Sequence, residues 1–436
     1  MYVWHPYTQM KVWLKSQNIV ISSGKGHFLV DQHGTKYLDG ISNMWCNVWG
    51  HDRKEIINAM KMQLDSLPHS TIFGLVNKPS TMLAEKLISL AKGMGKVFYS
   101  DNGSTAIEVA LKMAIQYWRN IGKREKRKFI CFKNGYHGDT LGCMSVGYVG
   151  NFFSPYKSLL LGTIKVDAPT IGIEAADNFE FSQYIEQIEQ VLKEHSKYSA
   201  AIVMESGAQI AGGVKIYPRK FQKSVSQLCK KYDVLLILDE VATGFGRLGN
   251  MIEYNAQDSD PDIACFAKAL TGGYFPLAVT LTKNNIYEKF LGEYYEKKHF
   301  FHGHTFAGQP VGCAAALANL KLYDRFNLIK RINSKSILFH KLLKKFTEID
   351  VVSDVRHKGL LAGIEIKLDA KISKYSKNGL LGAFIFRESL KRGVFMRTLG
   401  NVITIIPPLS ISMKNLSEII NAEYDIVNLI QRKFSD

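Results

Sequence analysis

Compact apolar runs alternate with helical periodicity through the middle of the chain. Val97–Ser100, Phe129–Phe132, Ala200–Met204 and Val234–Leu238 are short runs without apolar–polar alternation, the pattern of strands buried on both faces. Ala106–Trp118 and Phe221–Tyr232 between them carry helical spacing. Before residue 52 the rhythm differs: Ile19–Ser22, Phe28–Asp31 and Lys36–Leu38 read as short strands, with Gly24, Gly26 and Gly34 as turn residues. Beyond residue 310 a long helical region begins, with Ile337, Leu338, Leu342 and Phe346 expected on its buried side, and short strands and a closing helix follow. Strand–helix alternation of this kind predicts an α/β fold with a mainly parallel sheet wrapped by helices. The expected organisation is an N-terminal segment over 1–51, a large domain over 52–310, and a C-terminal part over 311–436 that joins the N-terminal segment in a smaller α+β domain.

Composition narrows the class. The chain has 436 residues, 46% of them hydrophobic and 22% charged, which excludes a disordered chain, a collagen, a coiled coil and a small disulfide scaffold. The longest uncharged run, Phe300–Leu320, is broken by His302, His304, Gln309 and Pro310, so no membrane span is expected. The first residues lack a basic stretch leading into an apolar core, so no secretory signal is expected. Six scattered cysteines without a Cys-x-x-Cys pair predict reduced thiols and a cytoplasmic protein. The net charge of +17 attracts polyanions without specifying one. Its densest run, Gly122–Lys128, reads as a solvated loop. No zinc-finger or RNP-like motif accompanies it, and no nucleic-acid or membrane partner is expected.

Five constellations carry chemistry. In Ser100-Asp-Asn-Gly103-Ser104-Thr105 a strand feeds a glycine turn into a helix, which aims backbone N–H groups at one point and suits a phosphate. Thr105-x-x-Glu108 also fits a plain capping box. Asp239 and Glu240 end an apolar run, where acids at a parallel strand's carboxyl end face the ligand crevice. Gly244-Phe-Gly246-Arg-Leu-Gly249 formally matches a dinucleotide fingerprint, but no helical period follows it. Lys268 follows an apolar run and precedes Gly272-Gly273; burial would lower its pKa, as a Schiff-base lysine requires. Asn134–Thr140 is a polar loop in which Tyr136 suits stacking on a flat ring. His299-x-x-His302-x-His304 invites a metal reading, but no nearby Cys or carboxylate completes a site, and a second phosphate loop using Thr305 serves equally well.

Together these features suit pyridoxal 5'-phosphate, which needs a lysine, a carboxylate at its pyridine nitrogen, a stacking partner and a phosphate cup. Over nearly its whole length the chain resembles the class III (ω) aminotransferases of fold type I, and Asp239-Glu-Val-Ala-Thr-Gly-Phe-Gly-Arg247 is a specific signature of that family. His5-Pro-Tyr7-Thr8, Gly135–Thr140, His302-Gly-His-Thr305 and Met396-Arg397 resemble the family's biotin-synthesis branch. That branch implies 8-amino-7-oxononanoate as amino acceptor, with S-adenosylmethionine or lysine as donor; the alternative is an ω-aminotransferase for ornithine, 4-aminobutyrate or a diamine. The resemblance implies that Lys268 holds the cofactor covalently and shuttles a proton, that Asp239 pairs with the ring nitrogen, and that Tyr136 and Val241 cover the ring faces. It implies further that Gly103 and Ser104 hold the phosphate, with His304 and Thr305 supplied by a second subunit of a homodimer with shared sites, while His137, Glu205 and Gln209 frame the cofactor. Tyr7, Trp45, Asp139, Arg247, Gly303 and Arg397 are implied as substrate contacts, Arg397 as the carboxylate clamp. Two departures stand out: Met44-Trp45 where the branch often has adjacent tryptophans, and His304 where S-adenosylmethionine users commonly have Pro.

Overall fold

The computed structural model describes residues 2–15, 18–147, 150–175, 179–377 and 379–434. Its central sheet has seven strands in the spatial order Lys96–Ser100, Ala278–Thr282, Ile263–Phe266, Leu235–Asp239, Ser199–Glu205, Lys128–Phe132 and Ile164–Val166. Neighbouring strands from Ile263–Phe266 to Ile164–Val166 are parallel, and Ala278–Thr282 runs antiparallel to both of its neighbours. Four of the strands are buried at every position. This is why their sequences read as unbroken apolar runs rather than alternating ones. The Gly103–Asn120 helix buries Ala106, Val109, Ala110, Met113 and Ala114, and its alanines let backbone and sheet approach closely.

The two chain ends meet in one smaller sheet. Ile21–Lys25, Phe28–Asp31 and Lys36–Asp39 form an antiparallel meander, and Val394–Phe395 joins it parallel to Lys36–Asp39. A second antiparallel sheet orders Val352–Lys358, Leu361–Ile366, Val402–Ile405 and Arg397–Leu399. Helix Leu328–Lys344 packs against Val352–Lys358 and against helix Met413–Phe434. All six cysteines are unpaired, and no helix among the described residues is long and apolar enough to cross a membrane.

Most predicted strands agree with the structure to within one residue at each end. The first strand is displaced, running Ile21–Lys25 instead of Ile19–Ser22. Two expectations need correction. The Gly103–Asn120 helix is capped by Asn102, whose side chain accepts from Thr105 N–H at 3.0 Å; Glu108 instead reaches across to accept from Thr140 Oγ1 and the N–H groups of Gly142 and Cys143. In the Leu328–Lys344 helix the buried stripe is Leu328, Ile332, Lys335, Phe339 and Leu343, and Ile337 is exposed. The core stripe passes through a lysine, which apolar periodicity alone does not register.

Lys335 is buried without a carboxylate, its ammonium donating to Leu409 O at 2.6 Å and Ile411 O at 3.0 Å. Burial pulls its pKa down to about 8. Between that value and the ordinary lysine range the unfolded chain binds a proton that the folded chain does not, so stability rises with pH across this window. In urea titrations the stability of wild type relative to Lys335→Met should increase by about 1–3 kcal/mol from about pH 7.5 to about pH 10. A pH-independent difference would contradict the burial of an ammonium here.

Candidate functional site

The carboxyl ends of the parallel strands open onto one cleft of about 520 Å³. At one side lies the first turn of the Gly103–Asn120 helix. The N–H groups of such a turn have no partner within the helix, and the helix dipole adds partial positive charge there. Gly103 and Ser104 line the cleft. Two glycines keep the space open. A Cβ on Gly103 would stand 2.6 Å from Val241 Cγ1, and one on Gly138, whose φ is +126°, would stand 1.9 Å from Ser104 Oγ.

Lys268 enters from the end of Ile263–Phe266, in a short 3-10 turn that Gly272 closes with φ +66°. Burial lowers its pKa below the ordinary lysine value, although the charge of Asp239 opposes this. Its Nζ lies 4.8 Å from the centre of the Trp45 ring. Asp239 lies in register with Glu205 on one side and Cys265 on the other. Its Oδ2 accepts from His137 Nδ1 at 2.7 Å and its Oδ1 accepts from Val241 N–H at 2.9 Å. Burial alone would lower the pKa of His137, but the hydrogen bond and charge of Asp239 outweigh it and raise it. Glu205 is buried as well. It accepts from Tyr136 N–H at 3.1 Å and Ile210 N–H at 3.0 Å, and burial pushes its pKa up to about 7.

Tyr136 lines the cleft, with its hydroxyl donating to Asp139 Oδ2 at 3.1 Å. Tyr7 donates to the other oxygen, Oδ1, at 2.5 Å. One exposed carboxylate therefore gathers two phenols from positions 129 residues apart in the chain. Burial, with Asp139 assisting, holds both phenol pKa values above the ordinary range.

Trp45 reaches the cleft on an unusual turn. Ser42, Asn43, Met44 and Trp45 have φ of 52°, 46°, 79° and 73°, a conformation costing a non-glycine residue roughly 1–2 kcal/mol. Asp39, fully buried, accepts from the N–H groups of Ile41 and Asn43. Arg247, expected at the substrate, is instead buried and absent from the cleft lining. Its Nη1 donates to Leu360 O at 2.9 Å and Pro407 O at 2.7 Å, and its Nη2 donates to Ser42 Oγ at 3.0 Å. The surrounding Gly244–Gly249 is a run of turns without a helix, as expected from the missing helical period.

Other expected residues lie outside the lining. Tyr7, Asp139, Gln209, His304, Thr305, Gly303 and Arg397 do not line the cleft of the single chain; Thr305, Gly303 and Arg397 are exposed. His304 Nε2 is buried without a partner. The three histidines of the 299–304 segment do not converge: His302 Nδ1 is 2.9 Å from Lys112 Nζ, and His299 stacks on Tyr294. Thr243, Cys46 and Thr271 line the cleft without having been singled out by the sequence. Thr243 Oγ1 is buried and unpartnered, and its only sequence signal is its place inside the Asp239–Arg247 motif.

Comparison with known proteins gives a consistent picture. The family model for aminotransferase class-III matches residues 10–427. The chain is 43% identical to the adenosylmethionine-8-amino-7-oxononanoate aminotransferase of Geobacter sulfurreducens, over 96% of this chain and 94% of that one. With the enzyme of the same description from Methanocaldococcus jannaschii it shares 41% identity over 98% and 96%. The crystal structure of the Methanocaldococcus jannaschii enzyme superposes with a TM-score of 0.91, covering 98% of this chain and 97% of that one. The omega transaminase from Pseudomonas jessenii in complex with PMP superposes with a TM-score of 0.92 at 29% identity, over 100% and 97%.

Gly138→Ala forces a Cβ into Ser104 and strains a positive φ. Titration with pyridoxal phosphate, followed by visible absorbance, should give a dissociation constant raised by at least about tenfold, the equivalent of about 1.4 kcal/mol, with melting temperature falling by no more than a few degrees. Unchanged affinity would argue against a phosphate beside Gly138.

Proposed function

Because the chain belongs to the class-III aminotransferases, we propose that it uses pyridoxal 5'-phosphate to transfer an amino group from S-adenosylmethionine to 8-amino-7-oxononanoate, giving 7,8-diaminononanoate for biotin synthesis. The observation that carries this reading is the near full-length identity, above 40%, to relatives described by that reaction.

The cleft fits the cofactor. Gly103 and Gly138 line the cleft beside a helix N-terminus, where a Cβ would meet Val241 or Ser104, and Thr243 offers a buried, unpartnered hydroxyl. When bound, pyridoxal phosphate supplies an electron sink for the carbon that gains or loses the amino group. The residues supply the rest. Gly103 and Ser104 N–H groups would bind the phosphate. Asp239, hydrogen-bonded to His137, would pair with the ring nitrogen, and Tyr136 and Val241 would cover the ring faces. Glu205 fixes the backbone of Tyr136 and so sets that ring's height. Lys268 would hold the cofactor covalently and would move a proton at its Nζ; partial burial suits it to acting as base as well as acid. On the substrate side Tyr7 and Tyr136, tied to Asp139, orient the acceptor, Trp45 walls it, and Arg397 takes its carboxylate.

The cup is half built in one chain. His304 and Thr305 sit on a loop with Phe301 and Phe306 exposed, beside exposed Phe73. We assign that loop, with Gly303, to the site of a second copy in a homodimer, where the unpartnered His304 Nε2 gains a neighbour.

Lys268→Ala should lose turnover by at least about 10³-fold, and borohydride treatment should no longer leave cofactor mass on the peptide containing position 268. Retained trapping at another lysine would overturn the assignment. For the donor, S-adenosylmethionine should convert the bound cofactor to its amine form, read by the shift in visible absorbance, while lysine should not. A response to lysine alone would replace the donor. Transfer to 2-oxoglutarate, with none to 8-amino-7-oxononanoate, would replace the acceptor.

A further inference from the structure

The outer face of the Gly103–Asn120 helix carries a ladder of side-chain donors. Lys112, Gln116 and Asn120 stand four residues apart and so share one face. Lys112 Nζ donates to Phe301 O at 3.2 Å and lies 2.9 Å from His302 Nδ1. Gln116 Nε2 donates to Lys298 O at 3.0 Å and to His299 O at 2.9 Å. Asn120 Nδ2 donates to Lys298 O at 3.1 Å and to Lys289 O at 3.0 Å. Apart from Lys289 O, every acceptor belongs to 298–302, the stretch that leads directly into Gly303–Thr305. Between Leu291 and Gln309 the chain holds a single 3-10 turn, Tyr294–Glu296, so regular structure does not shape this loop. Phe300 is its apolar foot, edge-on to Phe98 at 5.4 Å and to Phe290 at 5.8 Å. Carbonyls at a surface can bond water instead, and ordering long side chains costs entropy. Three side chains of one helix therefore do more than satisfy these carbonyls: they fix the loop at a set position along the helix. Beyond His302 the ladder ends, and Thr305 and Phe306 stand exposed.

We propose that Lys112, Gln116 and Asn120 are positioning residues acting in trans, holding 298–302 so that Gly303, His304 and Thr305 reach the cofactor site of the second copy. One helix thus serves two sites. Its first turn faces the cleft of its own chain, and its later turns hold the loop lent to the partner. The inference rests on the transaminase reading and the shared cup above.

Mixed dimers separate this from a merely structural role. One chain carries Lys268→Ala and the other keeps Lys268, so the visible absorbance of lysine-bound pyridoxal phosphate reports one site alone. Lys112→Met combined with Gln116→Leu removes the donors to 298–302 and leaves Phe300 in place. Put into the Lys268→Ala chain, this pair should raise the dissociation constant for pyridoxal phosphate at the intact site by at least about fivefold, an equivalent of about 1 kcal/mol. Put into the chain that keeps Lys268, it should change that constant by less than about twofold. Lys112→Arg, which keeps donors for Phe301 O, should stay within about twofold in either chain. If the paired variant is insoluble, Lys112→Met alone, at an exposed position, is read in the same two arrangements, where the excess in trans must persist. An equal rise in both arrangements overturns the inference, since that is general loosening of the helix. So does a rise confined to the chain that keeps Lys268, or no rise in either. Wild-type protein that stays monomeric with pyridoxal phosphate bound sinks the shared cup, and wild-type protein that develops no visible absorbance sinks the transaminase reading; the ladder's role falls with either.

Discussion

The site depends on one buried hydrogen-bonded pair, Asp239 and His137. Asp239 ends an interior strand, where an uncompensated carboxylate would be strongly unfavourable, and the structure meets that cost with His137 at 2.7 Å and the Val241 N–H at 2.9 Å. Both partners come from loops that follow parallel strands, so the pairing also ties the Tyr136 loop and the Val241 loop to the floor of the cleft. Glu205, in register beside Asp239, adds a second hold on Tyr136 through its N–H. Beside burial, the neighbouring Asp239 helps to raise the pKa of Glu205, while His137 opposes that rise.

A second set of constraints joins the chain ends to this floor. Arg247 follows Asp239 by eight positions, yet its guanidinium bonds residues near 42, 360 and 407. The same signature segment therefore supplies the charge under the cleft and the clamp that aligns the smaller sheets with it. Gly359 permits this approach: a Cβ there would lie 2.4 Å from the Leu248 carbonyl carbon. The burial of Arg247 lowers its pKa to about 10, and three neutral oxygen acceptors, without a carboxylate in contact, hold it in place.

The sequence revealed the parts of the fold governed by single-residue chemistry repeated along an element. Unbroken apolar runs marked strands buried on both faces, and Gly103 with Ser104 marked a helix start at a strand end. Asp239, Lys268 and Tyr136 were legible because their types and spacing suit one chemistry. What could not be read depends on direction rather than identity. Glu108 fits a capping box by spacing but points across to the Thr140 loop. Lys335 occupies an apolar stripe and survives there because two backbone carbonyls lie within reach. Nothing in Ser-Asn-Met-Trp announces a left-handed turn, since the residue that favours it, glycine, is absent, and its cause lies in Asp39 and Arg247. Thr243 was visible only as a letter in a motif.

The reversed strand Ala278–Thr282 has a structural consequence of its own. Because it returns beside Ile263–Phe266, the segment bearing Lys268 is a short bridge between two adjacent rigid strands instead of the long helical crossover that parallel neighbours require. A bridge with both feet in the same sheet has almost no slack. Its length acts as a ruler, so adding or deleting a residue there would displace the amine while the surrounding framework stayed put.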